Sequence, residues 1–210
     1  MGWHYLITDR AGWTTQYSQE QEDNAQMIWN LLVGLYHWQE IAVAGVLGNM
    51  QVESYINPGQ WEIGSNYSMT AGMGLGQWTP ATKVSDFVGS TNRHRMADGT
   101  KQIELLIDVP SQYTTDYLNS DGSSTYYNET GLPYLDTMQT YADETNISIT
   151  DATKLWAICW ERPRNTYYTS SISDRIAHAN YWYDKFHGQP IPPTPPTSRK
   201  MPLYMYLRRI

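Results

Sequence analysis

The sequence predicts a mainly α-helical fold that carries one small hairpin or loop element. Three observations carry that expectation: apolar residues recur at the spacing of helix faces in several separate stretches, glycines crowd into one window between them, and a proline-rich run closes the domain. Residues 1–21 form an aromatic and polar lead-in with little helical patterning around Thr14, Thr15, Gln16, Ser18 and Gln19, so a loop or short strand is expected there. From Asn24 to Trp38 the apolar positions Met27, Ile28, Leu31, Leu32 and Leu35 repeat at helical spacing. A second helix is expected over 39–54, where Ile41, Ala44, Leu47 and Gly48 allow close packing, and Pro58 and Gly59 stop any continuation past Ile56.

The window 60–79 holds Gly64, Gly72, Gly74 and Gly76, with Gly59 just ahead, which makes a poor helix and a good loop or small hairpin. Helices resume over 80–88, 100–109, 132–144, 151–161 and 173–186. Thr150 or Asp151 and Ser173 serve as N-caps, and Pro110 and Pro163 as stops. Residues 119–128 are rich in Ser, Gly, Asp and Tyr without periodicity and read as an exposed loop. Beyond His187 the composition changes abruptly, and the prolines of 189–197 form an extended spacer. The chain therefore divides into a lead-in (1–21), one folded domain (22–188), a linker (189–197) and a basic, alternating peptide (198–210) suited to strand addition on another protein or to an anionic surface.

At 210 residues the chain is long enough for one domain with a sizeable core. Its aromatic content is nine Trp and seventeen Tyr against two Phe, side chains that join an apolar face to a polar handle and suit sugar stacking as well as core packing. The net charge of −7 argues against nucleic-acid binding, which needs clustered Lys and Arg. A single cysteine, Cys159, excludes an intramolecular disulfide and reads as a small buried apolar residue between Trp156 and Trp160. No stretch approaches a membrane span, and Met1 to Arg10 lacks the pattern of a signal peptide, so delivery by another vehicle is expected. No metal is expected: His4, His37, His94, His178 and His187 show no ligand spacing.

The densest signal is Gly48-Asn49-Met50-Gln51-Val52-Glu53-Ser54, then Asn57-Pro58-Gly59 and the run Gly72-Met73-Gly74-Leu75-Gly76-Gln77-Trp78. It sets one carboxyl group, Glu53, at the end of an apolar helix, ahead of a tight glycine turn. The negative end of the helix dipole and loss of solvation both favour the protonated acid there, which suits a general acid for glycoside cleavage. The glycines permit close approach of backbone to a ligand, but no Gly-Lys-Ser or Gly-Lys-Thr follows, so they form no phosphate loop.

Glu53-Ser54 followed by Gly74-Leu75-Gly76-Gln77 is similar to the Glu-Ser and Gly-Leu-Met-Gln motifs of goose-type lysozymes and lytic transglycosylases. The string from Gly48 to Gly59, with Gly76-Gln77-Trp78-Thr79-Pro80, resembles more closely the lysozyme domain of phage tail-associated peptidoglycan hydrolases, as in the tail knob of short-tailed Bacillus phages. Glu161-Arg162-Pro163 and the helix with Ala179-Asn180-Tyr181-Trp182-Tyr183 resemble the end of that domain, so the blocks span roughly 22–187 in the family's order.

This resemblance implies a lysozyme-like (α+β) fold with the loop element beside a cleft. It implies cleavage of bacterial peptidoglycan between N-acetylmuramic acid and N-acetylglucosamine, without a cofactor. The setting it implies is a virion tail enzyme that opens the host wall during genome entry, docked to other phage tail proteins through 198–210. A lytic transglycosylase using the same Glu, or a module that binds glycan without cutting it, are the alternatives.

Glu53 is the expected acid, and hydrolysis by the usual two-carboxylate route assigns the second role to Glu62, with Asp86 and Glu161 as further candidates. For Glu161 an ion pair with Arg162, Arg164 or Arg175 that clamps the last helices is the favoured reading. Ser54 is expected to orient the acid, and Trp61, Tyr67, Gln77 and Trp78 to hold sugar rings.

Overall fold

The computed structural model describes residues 2–13, 16–115 and 131–192; the expected loop at 119–128 and the docking peptide at 198–210 lie outside them, as does the linker beyond 192. Among the described residues the protein is helical, and its β content is two isolated bridges, Thr8 with Gln60 in parallel and Trp61 with Met73 in antiparallel sense.

The first helix, α1 (Gln19–Trp29), begins inside the stretch read as a lead-in. Ser18 explains the early start: its hydroxyl accepts the Gln21 N–H at 3.4 Å while the Gln21 side chain accepts the Ser18 N–H at 3.1 Å, a reciprocal capping box. The helix continues as a π-helical turn over Asn30–Leu35. The next, α2 (Glu40–Ser54), is buried continuously from Ala42 to Gln51, as expected of a helix that is apolar on every side.

After the glycine window come α3 (Thr82–Val88), α4 (Arg93–Met96) and α5 (Gly99–Asp108). The four-residue α4 has no apolar repeat to announce it and rests on Asn92, whose side chain accepts the His94 and Arg95 N–H groups. Then follow α6 (Met138–Asp143), α7 (Ile149–Trp156), which continues as a π-helical turn over Ala157–Glu161, and α8 (Asn165–Phe186).

Several expected boundaries move. The helix expected over 132–144 is confined to α6, because Pro133 precedes it and Thr137 supplies the cap by accepting the Thr140 N–H at 3.1 Å. The cap of α7 is Ser148 rather than Thr150 or Asp151. The last helix starts eight positions before Ser173, directly after the turn at Pro163, so Ser173 is an interior residue of α8.

Helices α7 and α8 pack directly on α2, and two glycines allow it. A Cβ at Gly45 would stand 2.9 Å from the Ala152 backbone of α7, and one at Gly48 only 2.4 Å from the Arg175 carbonyl oxygen of α8. Asn49 sits one turn beyond Gly45 and donates to the Gly45 and Thr153 carbonyls at 2.8 and 3.0 Å, joining α2 to α7. Tyr141 closes the same seam by donating to the Ala42 and Ala152 carbonyls. The core beneath is aromatic: Trp156 stacks on Trp160 at 4.8 Å, and Trp78 meets Trp160 edge-on at 5.7 Å. Cys159 is buried in this layer, and burial pushes its thiol up to about 12.

The residues before α1 strap across the turn that follows α2. Leu6 exchanges hydrogen bonds with the Asn57 side chain at 3.0 and 2.8 Å, and the Trp61 N–H donates to the Thr8 carbonyl at 2.7 Å. Gly48→Ala is expected to destabilise the protein by about 2 kcal/mol or more, because the overpacked methyl meets α8 backbone and not a movable side chain. A denaturant titration checks it; an unchanged midpoint would show that α8 can shift away from α2.

Candidate active site

The sequence motif at the end of α2 becomes a rigid corner. Tyr55 and Ile56 both adopt left-handed backbone, φ 57° and 54°, a conformation rare for any side chain and rarer for a β-branched one. The corner is held from outside: Asn24 donates to the Ile56 carbonyl at 2.9 Å, and Asn57 binds both Leu6 and the Gly59 N–H. Ser54 is fully buried, and its hydroxyl makes contacts at 3.0 Å to the carbonyls of Met50 and Leu75, which ties the helix end to the glycine turn. On the far side of that turn the buried Gln102 accepts the Leu75 N–H at 2.8 Å and donates to Pro58 and Met96. Gly74, at φ 84°, is required there, since a Cβ would lie 2.3 Å from the Gln102 oxygen.

Glu53 projects from this corner to Arg175 of α8. Arg175 is completely buried, and its guanidinium is satisfied on three sides: it donates to the Glu53 carboxylate, to the Asn49 Oδ1 at 2.6 Å, and through Nε to the Ser171 hydroxyl at 3.2 Å. Glu53 keeps 15% of its side chain exposed, so the ion pair is buried at the cation and open at the carboxylate. The Tyr167 ring lies against the guanidinium, 5.6 Å from centroid to carbon, and remains 46% exposed at the mouth. Loss of solvation, then the Glu53 charge, raises the Tyr167 hydroxyl above its ordinary value.

The second carboxyl at this site is Glu161, the last residue of the π-helical turn after α7. Its Oε1 accepts the Trp156 indole N–H at 3.2 Å, and the next residue, Arg162, is left-handed at φ 54°. Each carboxylate therefore stands just ahead of a strained, non-glycine corner, a combination associated with functional positions. Loss of solvation, reinforced by the negative charge of Glu53, pushes Glu161 up to about 8; the charge of Arg175 opposes this. Glu161 accordingly holds a proton through neutral pH. The clamping ion pair expected for it takes another form: Arg175 binds the Glu53 carboxylate directly, and Glu161 rests on Trp156.

The other expected residues lie at different depths, with contacts of their own. Glu62 is exposed at the base of the glycine window, where its Oε2 accepts the Gly72 N–H at 3.0 Å. Asp86 is exposed on α3. Trp61 and Trp78 are core residues, 0% and 2% exposed. Tyr67 is half-buried beneath Arg93, whose guanidinium carbon lies 4.1 Å above its ring. Gln77, left-handed at φ 43°, donates to the Gln60 and Gly74 carbonyls at 3.3 and 3.2 Å and so closes the turn. No local motif marks Asn49, Tyr167 or Arg175 as site residues; the one sequence signal is the four-residue step from Asn49 to Glu53, which puts both on one helix face and within reach of one partner. Among the described residues no three His, Cys, Asp or Glu side chains gather as a metal site requires, and no helix is long and apolar enough to cross a membrane.

Two stability effects follow from the buried charges. Arg175→Met is expected to cost roughly 3 kcal/mol at neutral pH, the low end for breaking a buried pair because Glu53 keeps contact with water, and a double-mutant cycle with Glu53→Gln should give a clearly non-additive sum. Glu161 binds its proton more tightly in the folded protein, at about 8 against an ordinary 4.5, so stability is greatest below that ordinary value and declines as pH rises toward about 8. Unfolding titrations at several pH values should show this slope in the wild type and its loss in Glu161→Gln.

Residues 23–186 match the family of phage tail lysozymes. The chain is also 29% identical over 171 residues to morphogenesis protein 1 of Bacillus phage B103, an alignment covering 81% of this chain and 41% of that relative. The chain thus spans about two fifths of the length of the curated relative it matches. With Glu53, Glu161 and Arg175 all inside a family match that runs from α1 to the last turn of α8, the chain belongs to the phage tail lysozyme family.

Proposed function

We propose that this domain cleaves the glycan strand of bacterial peptidoglycan between N-acetylmuramic acid and N-acetylglucosamine, as a lysozyme-like muramidase. The observation that supports this reading most is a carboxylate, Glu53, bound to a buried guanidinium, with a second carboxyl group, Glu161, near enough to feel both charges and holding a proton at neutral pH. Glycoside cleavage needs both states at once: a proton for the departing oxygen and a carboxylate for the positive charge that develops on the sugar. One cation and two carboxyl groups reach neutrality with a single proton, and groups this closely linked titrate as a unit.

Glu53, which retains solvent contact at the end of a helix held by Ser54 and Asn57, is the proposed donor. It acts with the pair's single proton, passed to it from Glu161 as the departing oxygen takes it up, which leaves both carboxyl groups ionised beside Arg175. Glu161 is the proposed partner that keeps the proton in the pair, and it has more support in that role than Glu62, whose described contacts tie it to the glycine turn. Tyr167, with Tyr67 and Gln77 at half-buried positions, would meet the sugar; Trp61 and Trp78 would shape the floor beneath. The family setting supports a virion tail enzyme that opens the host wall during genome entry, with residues 198–210 docking it to other tail proteins.

Mass spectrometry of fragments released from purified peptidoglycan tests the reaction. Reducing-end products are expected from the wild type, and Glu53→Gln should reduce their rate by about 10²- to 10⁴-fold. Anhydro products one water lighter would replace the muramidase by a lytic transglycosylase, and no products at all would leave a glycan-binding module. Glu161→Gln removes the like charge that keeps a proton on the pair, so the alkaline limb of the rate profile, expected near the Glu161 value of about 8, should move to lower pH.

A further inference from the structure

A polar cavity of about 480 Å³ opens beside the Arg175 seat, between α2, α8 and the residues ahead of α1. It is large enough for a small ligand or a short peptide. It adjoins the catalytic candidates through shared walls: Tyr167, whose ring covers the Arg175 guanidinium, and Ser171, which accepts its Nε–H, both line it.

The chemistry of its wall is specific. Gln51 lines the cavity while only 3% exposed, and its buried Oε1 has no hydrogen-bond partner among the described residues. An unpartnered acceptor in a buried wall calls for a donor, such as the N–H of another amide. His178, at the same wall, is engaged with the Tyr17 hydroxyl at 2.7 Å, and burial keeps the ring from taking up a proton, with Asp174 opposing weakly. Of the lining side chains only Asp174 carries a formal negative charge and none a fixed positive one, while the Arg175 charge behind the wall is already matched by Glu53. The cavity therefore suits a ligand that is rich in amides and carries one amine.

We propose that this cavity holds the stem peptide that peptidoglycan carries on N-acetylmuramic acid, its amides paired with Gln51 and Ser170 and the free amine of its diamino acid with Asp174. The inference rests on the peptidoglycan reading above and adds to it that the enzyme recognises the peptide on the strand it cuts. A glycan strand passing Glu53 presents such a stem on every second sugar, and the cavity lies beside Tyr167, where one would emerge.

The test is a nuclear magnetic resonance titration of the whole protein with two soluble probes, a disaccharide-tetrapeptide with its diamino acid unlinked and the same disaccharide without peptide. The peptide-bearing probe is expected to bind about tenfold more tightly, the difference expected for one charge-assisted bond, and to shift resonances of Gln51, Ser170 and His178. Asp174→Asn, an exposed position, should remove that difference, and Gln51→Leu should weaken only the peptide-bearing probe. Equal affinity for both probes, or an Asp174→Asn protein that still prefers the peptide, would overturn the assignment. Turnover is not needed for this readout: a protein that prefers the peptide-bearing probe but releases no fragments from peptidoglycan would lose the proposed reaction and keep this site.

Discussion

The guanidinium of Arg175 is the constraint on which the rest of the structure depends. An arginine cannot shed its proton, so burying it completely demands a countercharge and hydrogen-bond acceptors in fixed places. Asn49 and Glu53 supply these from one face of α2, and Ser171 supplies another from the preceding turn of α8. Gly48 allows the two backbones to approach closely enough for that reach, and Asn49 passes the constraint on to α7. The helix packing and the electrostatics of the site are thus two consequences of one buried cation.

The carboxylates inherit their difference from this arrangement. Glu53 takes the direct bond to the cation and an outlook on solvent; Glu161, desolvated beside Trp156 and facing the Glu53 charge, takes the proton. Both are presented by corners that the backbone would not choose freely, at Tyr55 and Ile56 and at Arg162. The corner at Tyr55 and Ile56 persists because Asn24, Asn57, Ser54 and Gln102 bind the surrounding backbone groups from buried positions, which holds the Glu53 carboxyl group still. At the second corner the Arg162 N–H donates to the Ala157 carbonyl at 2.7 Å.

Much of the helical framework was legible in the sequence because it obeys local rules. The boundaries of α2 fell within a residue of expectation, since an apolar run bounded by Pro58 and Gly59 leaves little choice. Other boundaries were set by side-chain caps that compete with equally plausible neighbours: Ser18, Thr137 and Ser148 won their helices by hydrogen bonds visible only in three dimensions. The start of α8 at Asn165 was hidden because its first turns, Thr166 to Ser170, carry two adjacent tyrosines among hydroxyl residues and no apolar repeat. The glycine window was legible as a turn, while its attachment to Ser54 and Gln102 was not, because those contacts join residues 21 and 27 positions apart.

By itself the sequence determined a mainly helical domain, a family, and one acid placed at the end of a buried helix ahead of a glycine turn, because helix periodicity, breakers and short motifs are local properties of the chain. The tertiary structure decided which groups surround that acid. Arg175 lies 122 positions away along the chain, and nothing local distinguishes it from Arg162 or Arg164 as a partner. Its burial, and with it the proton on Glu161, depends on how α2, α7 and α8 exclude water together, and desolvation is a property of the packed molecule that no single segment carries.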